Sequence, residues 1–137
     1  MEGSFTLPRE GSTSDPLRIA VLISGGGSGL ASILAYESLE PRSFHTVLVL
    51  ADSDEAGGLD HARKAGIDSI GIPLPRIVDK KEQRLKHEDL VHEQLEKYNT
   101  ELIALAGYMR IFTPVFVEKW KGRLINIHPS LLPKYPG

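Results

Sequence analysis

Short apolar runs alternate with helix-like stretches along most of this chain. The first run, Leu17-Arg18-Ile19-Ala20-Val21-Leu22-Ile23, stops at Ser24 and three glycines. A run of that length bounded by glycine reads as a strand buried on both faces. Residues 28–39 then read as a helix with Leu30, Ile33 and Leu34 on one face and Ser28 as its N-cap. Thr46 to Leu50 is a second strand, with Asp52, Ser53 and Asp54 as the turn and capping residues after it. A helix over 57–65 is closed by Gly66. Ile67 to Ile72 is a weaker third strand, ended by Pro73 and Pro75. The stretch 80–98 reads as an amphipathic helix that buries Val91, Leu95 and Tyr98 and solvates its charged run. Leu102 to Ala106 is a fourth strand. Thr113 then caps a helix with Pro114 in its first turn, Gly122 closes it, and 124–127 form a fifth strand.

This alternation predicts an α/β fold, a mainly parallel, Rossmann-like sheet built by right-handed crossovers with helices on both faces. Ligands of such sheets bind at the carboxyl ends of the strands, near the point where strand order reverses. Those ends carry residues 24–29, 51–54, 107–110 and 126–137, so these four segments are expected to border a site.

Composition narrows the chemistry. Sixteen Lys and Arg against eighteen Asp and Glu leave a net charge of -2. That balance speaks against a chain held to nucleic acid or to an anionic membrane by its overall field. No apolar run reaches the ~20 residues of a membrane span. Cysteine is absent, which removes disulfides, thiolate metal sites and cysteine nucleophiles and suits a reducing compartment; the cytoplasm is the expected location. Residues 1–16 are rich in Gly, Ser, Thr and Pro, have no secretory pattern, and are expected to form a flexible tail before a domain over 17–137.

Three segments carry candidate chemistry. Ser24-Gly25-Gly26-Gly27-Ser28-Gly29 joins a strand to a helix, where backbone N–H groups and the helix terminus favour an anion such as phosphate. The dinucleotide spacing fails at Leu30 and the P-loop lysine is missing, so NAD and ATP in their usual modes are not indicated. Without a ligand the same loop would be a tight turn. In the second segment, Asn126 and His128 share a face of an extended chain, and Pro129 keeps His128 out of helical angles. An amide donor beside an imidazole can stabilise an oxyanion and move a proton. A lone histidine is more commonly structural; its Asn partner and its place after a buried strand favour function. Third, Gly107-Tyr108-Met109-Arg110-Ile111-Phe112 mixes apolar and cationic residues, as a flat anionic ligand would need. Taken alone, this segment reads as core residues Met109, Ile111 and Phe112 with Arg110 as a surface charge.

The other histidines offer less. His87 and His92 are five apart and share no helical face, and His45 and His61 read as surface residues. Asp52-Ser53-Asp54 begins like a calcium loop, but Ala56 and Arg63 break the pattern, so no metal is expected.

Taken together, residues 19–28, 105–111 and 126–137 resemble the phosphoribosylglycinamide formyltransferase family, with the run Asn-Ile-His-Pro-Ser-Leu-Leu-Pro-Lys-Tyr-Pro-Gly as the most specific part. The resemblance covers about residues 17–137. It implies transfer of formyl from 10-formyltetrahydrofolate, as co-substrate, to the amine of glycinamide ribonucleotide in purine synthesis. It places the ribonucleotide phosphate at Gly27, Ser28 and Gly29, with Gly29 standing where the family usually has asparagine. It places the folate at Arg84, Met109, Arg110, Ile111, Phe112 and Asn126, and catalysis at Asn126 and His128. It also implies a cis peptide before Pro133. The family continues past the Pro-Gly at 136–137 with another folate loop and an aspartate that holds the histidine's charge. On that comparison the domain over 17–137 is expected to be incomplete at its C-terminus, to show little formyl transfer alone and to associate or unfold. The alternatives are a non-catalytic phosphate- or nucleotide-binding module, and another folate-linked formyltransferase or a deformylase.

Overall fold

The most apolar run becomes the middle of the sheet. A computed structural model describes residues 7–127. Its strands are β1 (Leu17–Ile23), β2 (Phe44–Ala51), β3 (Ser69–Gly71), β4 (Leu102–Leu105) and β5 (Leu124–Asn126). Their order is β3-β2-β1-β4-β5, and every pairing is parallel. The helices are α1 (Ser28–Leu39), α2 (Gly58–Lys64), α3 (Lys80–Lys97) and α4 (Pro114–Lys119).

From β1 the chain steps outward through β2 to β3. It then crosses to the far side of β1 for β4 and continues to β5. Crossovers of one hand that run in opposite directions place their helices on opposite faces. Accordingly Leu30 and Ile33 of α1 and Leu59 and Ala62 of α2 pack with Ile19, Val21 and Ile23 on one face. Val91 and Leu95 of α3 and Phe116 of α4 pack with Ala20, Leu22 and Leu50 on the other. Leu22, Leu30 and Leu48 are fully buried; each side chain of that kind contributes about 1.5–3 kcal/mol on leaving water.

The pairing of β1 with β2 contains one irregularity. Ile19 pairs with Thr46 and Ala20 with Leu48, so Val47 has no partner in β1. An extra residue shifts the alternation of the strand by one. Val47 and Leu48 therefore both pack with the α3 and α4 face, while Phe44 before them and Val49 after them share the other.

Local signals differ from expectation at several points. The N-cap of α1 is Gly27, in a left-handed conformation and with no side-chain cap, rather than Ser28. β3 covers only 69–71 of the expected 67–72. α3 is capped by Asp79, whose side chain accepts from the Glu82 N–H. Its charged run is not wholly solvated: His87 and Glu88 are buried beside Val91 and Leu95. Thr113 precedes α4 but makes no side-chain cap. Of the expected tail, residues 7–16 contain no helix or strand, yet the Arg9 guanidinium donates to both carboxylate oxygens of Glu101.

Candidate functional site

β1 and β4 are neighbours, but the chain leaves β1 for α1 on one face and β4 for α4 on the other. A crevice opens at such a divergence. Ser24 and residues 26–29 line it from the β1 side, Ala106 and Gly107 from the β4 side, and His61 from α2, around a cleft of about 350 Å³. Gly25 and Gly27 have φ of 85° and 73°, angles that side chains other than glycine rarely adopt. A Cβ on Gly27 would come within 2.7 Å of the Gly58 Cα, and the Gly58 N–H donates to the Gly25 carbonyl at 2.8 Å. The loop is thereby fixed against the start of α2. The Ala31 N–H makes the first helical bond, to Gly27 O at 2.9 Å. The N–H groups of Ser28, Gly29 and Leu30 thus have no intrahelical acceptor and lie at the positive end of α1. All three sequence-predicted phosphate residues, Gly27, Ser28 and Gly29, are at this cleft.

A second cleft, about 380 Å³, lies between the start of α3 and the segment after β4, with Lys80, Arg84 and Tyr108 through Phe112 among its walls. This segment is strapped through its polar groups. The Met109 N–H donates to Ser24 Oγ at 2.9 Å. Arg110 Nε donates to Asp52 Oδ2 at 3.1 Å, and an Arg84 guanidinium nitrogen donates to the Ile111 carbonyl at 3.0 Å. The Thr113 N–H donates to the buried Glu88 carboxylate at 2.6 Å, and the Thr113 hydroxyl donates to its other oxygen. With the backbone held inward, Met109 and Ile111 point out and are 77% and 80% exposed. This corrects the reading of both as core. Of the three residues read as core, Phe112 packs inward, stacked on Phe116 at 4.1 Å between ring centroids. Arg110 is exposed yet ion-paired, not a free surface charge. Burial pushes the Tyr108 phenol up; the Asp52 charge adds to this, Arg110 opposes it, and Glu88 adds further.

Arg84, Met109, Arg110, Ile111 and Phe112 therefore share one cleft. Asn126 pairs with Leu105 at the carboxyl end of β5, one residue short of the cleft-lining Ala106. His128 and the Leu132–Pro133 bond lie outside the described residues. Among the described residues no group of three His, Asp or Glu gathers as a metal would need. No described helix is long and apolar enough to cross a membrane.

Two residues lining these clefts, Glu88 and His61, were not marked by the sequence as site residues; Ser24 and Asp52 lie in the segments expected to border the site, and the bonds they accept from Met109 and Arg110 are what the structure adds. A signal existed for Glu88, which lies three and seven residues before Val91 and Leu95 on one helical face. For His61 the spacing of three from Gly58, which touches the glycine loop, was available but had no meaning without the tertiary contact.

Comparison with known proteins agrees with this arrangement. The formyl transferase family model matches residues 17–137. A trifunctional purine biosynthetic protein adenosine-3 from Chironomus tentans is 43% identical over 124 residues, covering 88% of this chain and 9% of that protein. The phosphoribosylglycinamide formyltransferase of Escherichia coli K12 is 40% identical over 121 residues, covering 88% of this chain and 55% of the relative. The crystal structure of phosphoribosylglycinamide formyltransferase from Brucella melitensis superposes with a TM-score of 0.75 at 36% identity, over 90% of this chain and 62% of that one. The chain thus spans less than two thirds of the length of each of these relatives. Its parallel sheet, its glycine loop at the switch point and the match over 17–137 all agree: the chain belongs to the formyl transferase family.

Proposed function

We propose that this protein transfers the formyl group of 10-formyltetrahydrofolate to the amine of glycinamide ribonucleotide. The observation that carries the reading is the junction of the two clefts. Ser24 lines the anion cleft, and its hydroxyl accepts from the backbone of Met109 in the other. A phosphate on the first residues of α1 and a folate along 108–112 would then meet across one residue. Asn126 ends β5 beside β4, on the same carboxyl edge.

In the reaction the amine nitrogen attacks the formyl carbon, a C–N bond forms and the carbonyl oxygen becomes an oxyanion. Collapse breaks the bond to the folate nitrogen, which takes the electron pair. The proton shed by the amine ends on that nitrogen. Asn126 donates to the oxyanion, and His128 carries the proton, the role its type and spacing suit. A preorganised donor of this kind is worth about 3 kcal/mol in the transition state. The cysteine-free sequence and water-soluble substrates support a cytoplasmic location.

The test is a titration with each substrate in turn, followed by backbone amide shifts. Glycinamide ribonucleotide is expected to move the signals of residues 26–29, and a stable 10-formyltetrahydrofolate analogue those of 109–112. Unmoved signals in both sets at high ligand concentration would overturn the proposal.

A further inference from the structure

The helix-terminus cleft supplies neutral N–H donors on its α1 side. Ser24, residues 26–29, Ala106 and Gly107 bring it no ionisable group. His61 is the single ionisable side chain among its described lining residues. Its position follows from the packing of α2. The Gly58 side of α2 rests on the glycine loop, where a Cβ would meet Ile23 Cδ1 at 2.5 Å and Gly27 Cα at 2.9 Å. One turn later, three residues on, the same helical face carries His61. Its Cδ2 lies 3.6 Å from where a Gly27 Cβ would be, so the imidazole edge stands beside the loop. Leu59 and Ala62 take the core face of α2. Asp60 and Arg63 pair with each other at 2.7 Å on its exposed side and leave His61 without a carboxylate from its own helix in the described ion pairs.

We propose that His61 is a substrate-binding residue: its ring N–H donates to the phosphate of the ribonucleotide from the α2 side of the cleft, beside the start of α1. This rests on the placement of the phosphate argued above. A phosphate monoester offers three terminal oxygens and close to two negative charges. Three backbone donors leave several of the phosphate's oxygen lone pairs unsatisfied, and an imidazole N–H on the α2 side satisfies one of them as a charge-assisted bond. The contact makes the site selective for the phosphorylated substrate over its riboside.

The test measures equilibrium binding of glycinamide ribonucleotide and of the dephosphorylated riboside to wild type, His61→Ala and His61→Lys. His61→Ala is expected to weaken ribonucleotide binding about five- to tenfold, the scale of one partly exposed charge-assisted hydrogen bond. Riboside binding is expected to stay unchanged, and His61→Lys to recover most of the loss. Equal losses for both ligands, or no loss for the ribonucleotide, would overturn the role of His61. If wild type binds the ribonucleotide no better than the riboside, the phosphate placement itself fails, and this inference with it.

Discussion

Gly58→Ala sets two known effects against each other. Alanine is the better helix former by about 1 kcal/mol in a helix interior, and Gly58 opens α2. On propensity alone the variant should be the more stable. Packing says the opposite. The new methyl would lie 2.5 Å from Ile23 Cδ1, 2.9 Å from Gly27 Cα and 3.1 Å from Gly25 O. The first clash is with a side-chain end, but Ile23 is fully buried and has little room to turn. The other two are with the backbone of the glycine loop, which must move. Overpacking of this kind costs about 1–3 kcal/mol. After the propensity gain the expected net loss is up to about 2 kcal/mol, a fall in Tm of up to about 8 °C for a domain of this size. Gly57→Ala is the matched control: Gly57 has φ −61°, and a Cβ there meets nothing within 4 Å. It should be neutral or stabilising by about 0.4–1 kcal/mol. Urea and thermal unfolding of the two variants decide the matter. A Gly58→Ala protein that melts at or above both wild type and Gly57→Ala would refute the close-approach argument.

Three further outcomes are expected. In a chain carrying the whole family domain, Asn126→Ala and His128→Ala should each lower kcat about a hundredfold or more with little change in ribonucleotide affinity; near-normal turnover in both would remove them from the mechanism. Glu88→Ala strips the Thr113 N–H and hydroxyl of their acceptor, so chemical denaturation should show a loss of about 1–3 kcal/mol and folate-analogue binding should weaken with it. The hydrogen bond from Arg9 holds the Glu101 carboxyl below its usual range; burial opposes this, and the Arg18 backbone N–H and charge add to it. Since the folded value is the lower one, this stabilisation is present above the unfolded pKa of about 4.3 and is lost as pH falls through the folded value. Glu101→Gln should therefore flatten the acid limb of a stability-versus-pH curve, and an unchanged limb would contradict it.

The sheet was legible because its signals are local. Apolar runs such as 17–23 and 102–105, each closed by a glycine or a polar turn, specify buried strands wherever they lie. The glycine loop was legible for the same reason. The 108–112 segment was not. Its apolar letters suggested core, and only the four straps, to Ser24, Asp52, Arg84 and Glu88, turn Met109 and Ile111 outward. Those partners are 25 to 85 residues away in sequence. The charged run in α3 hid Glu88 and His87 because its average composition masks a stripe in which they join Val91 and Leu95. The His87 Nε2 reaches the Ile72 carbonyl at 2.6 Å, so its burial depends on the chain leaving β3, which no helix pattern contains.

The unpaired Val47 has a consequence for the changes in length that β2 can absorb. A residue removed from the middle of a parallel strand ordinarily turns every later side chain to the wrong face. Here the pairs Ile19–Thr46 and Ala20–Leu48 already skip position 47. Closing the gap would leave Phe44, Thr46, Val49 and Ala51 on one face and Leu48 and Leu50 on the other, a regular alternation. The strand beside the sheet's centre therefore contains a position where the chain can lose one residue and keep its inside and outside. The loss would be confined to the packing that Val47 contributes under α3 and α4. A one-residue deletion, normally tolerated only in loops, has a permitted address inside this strand.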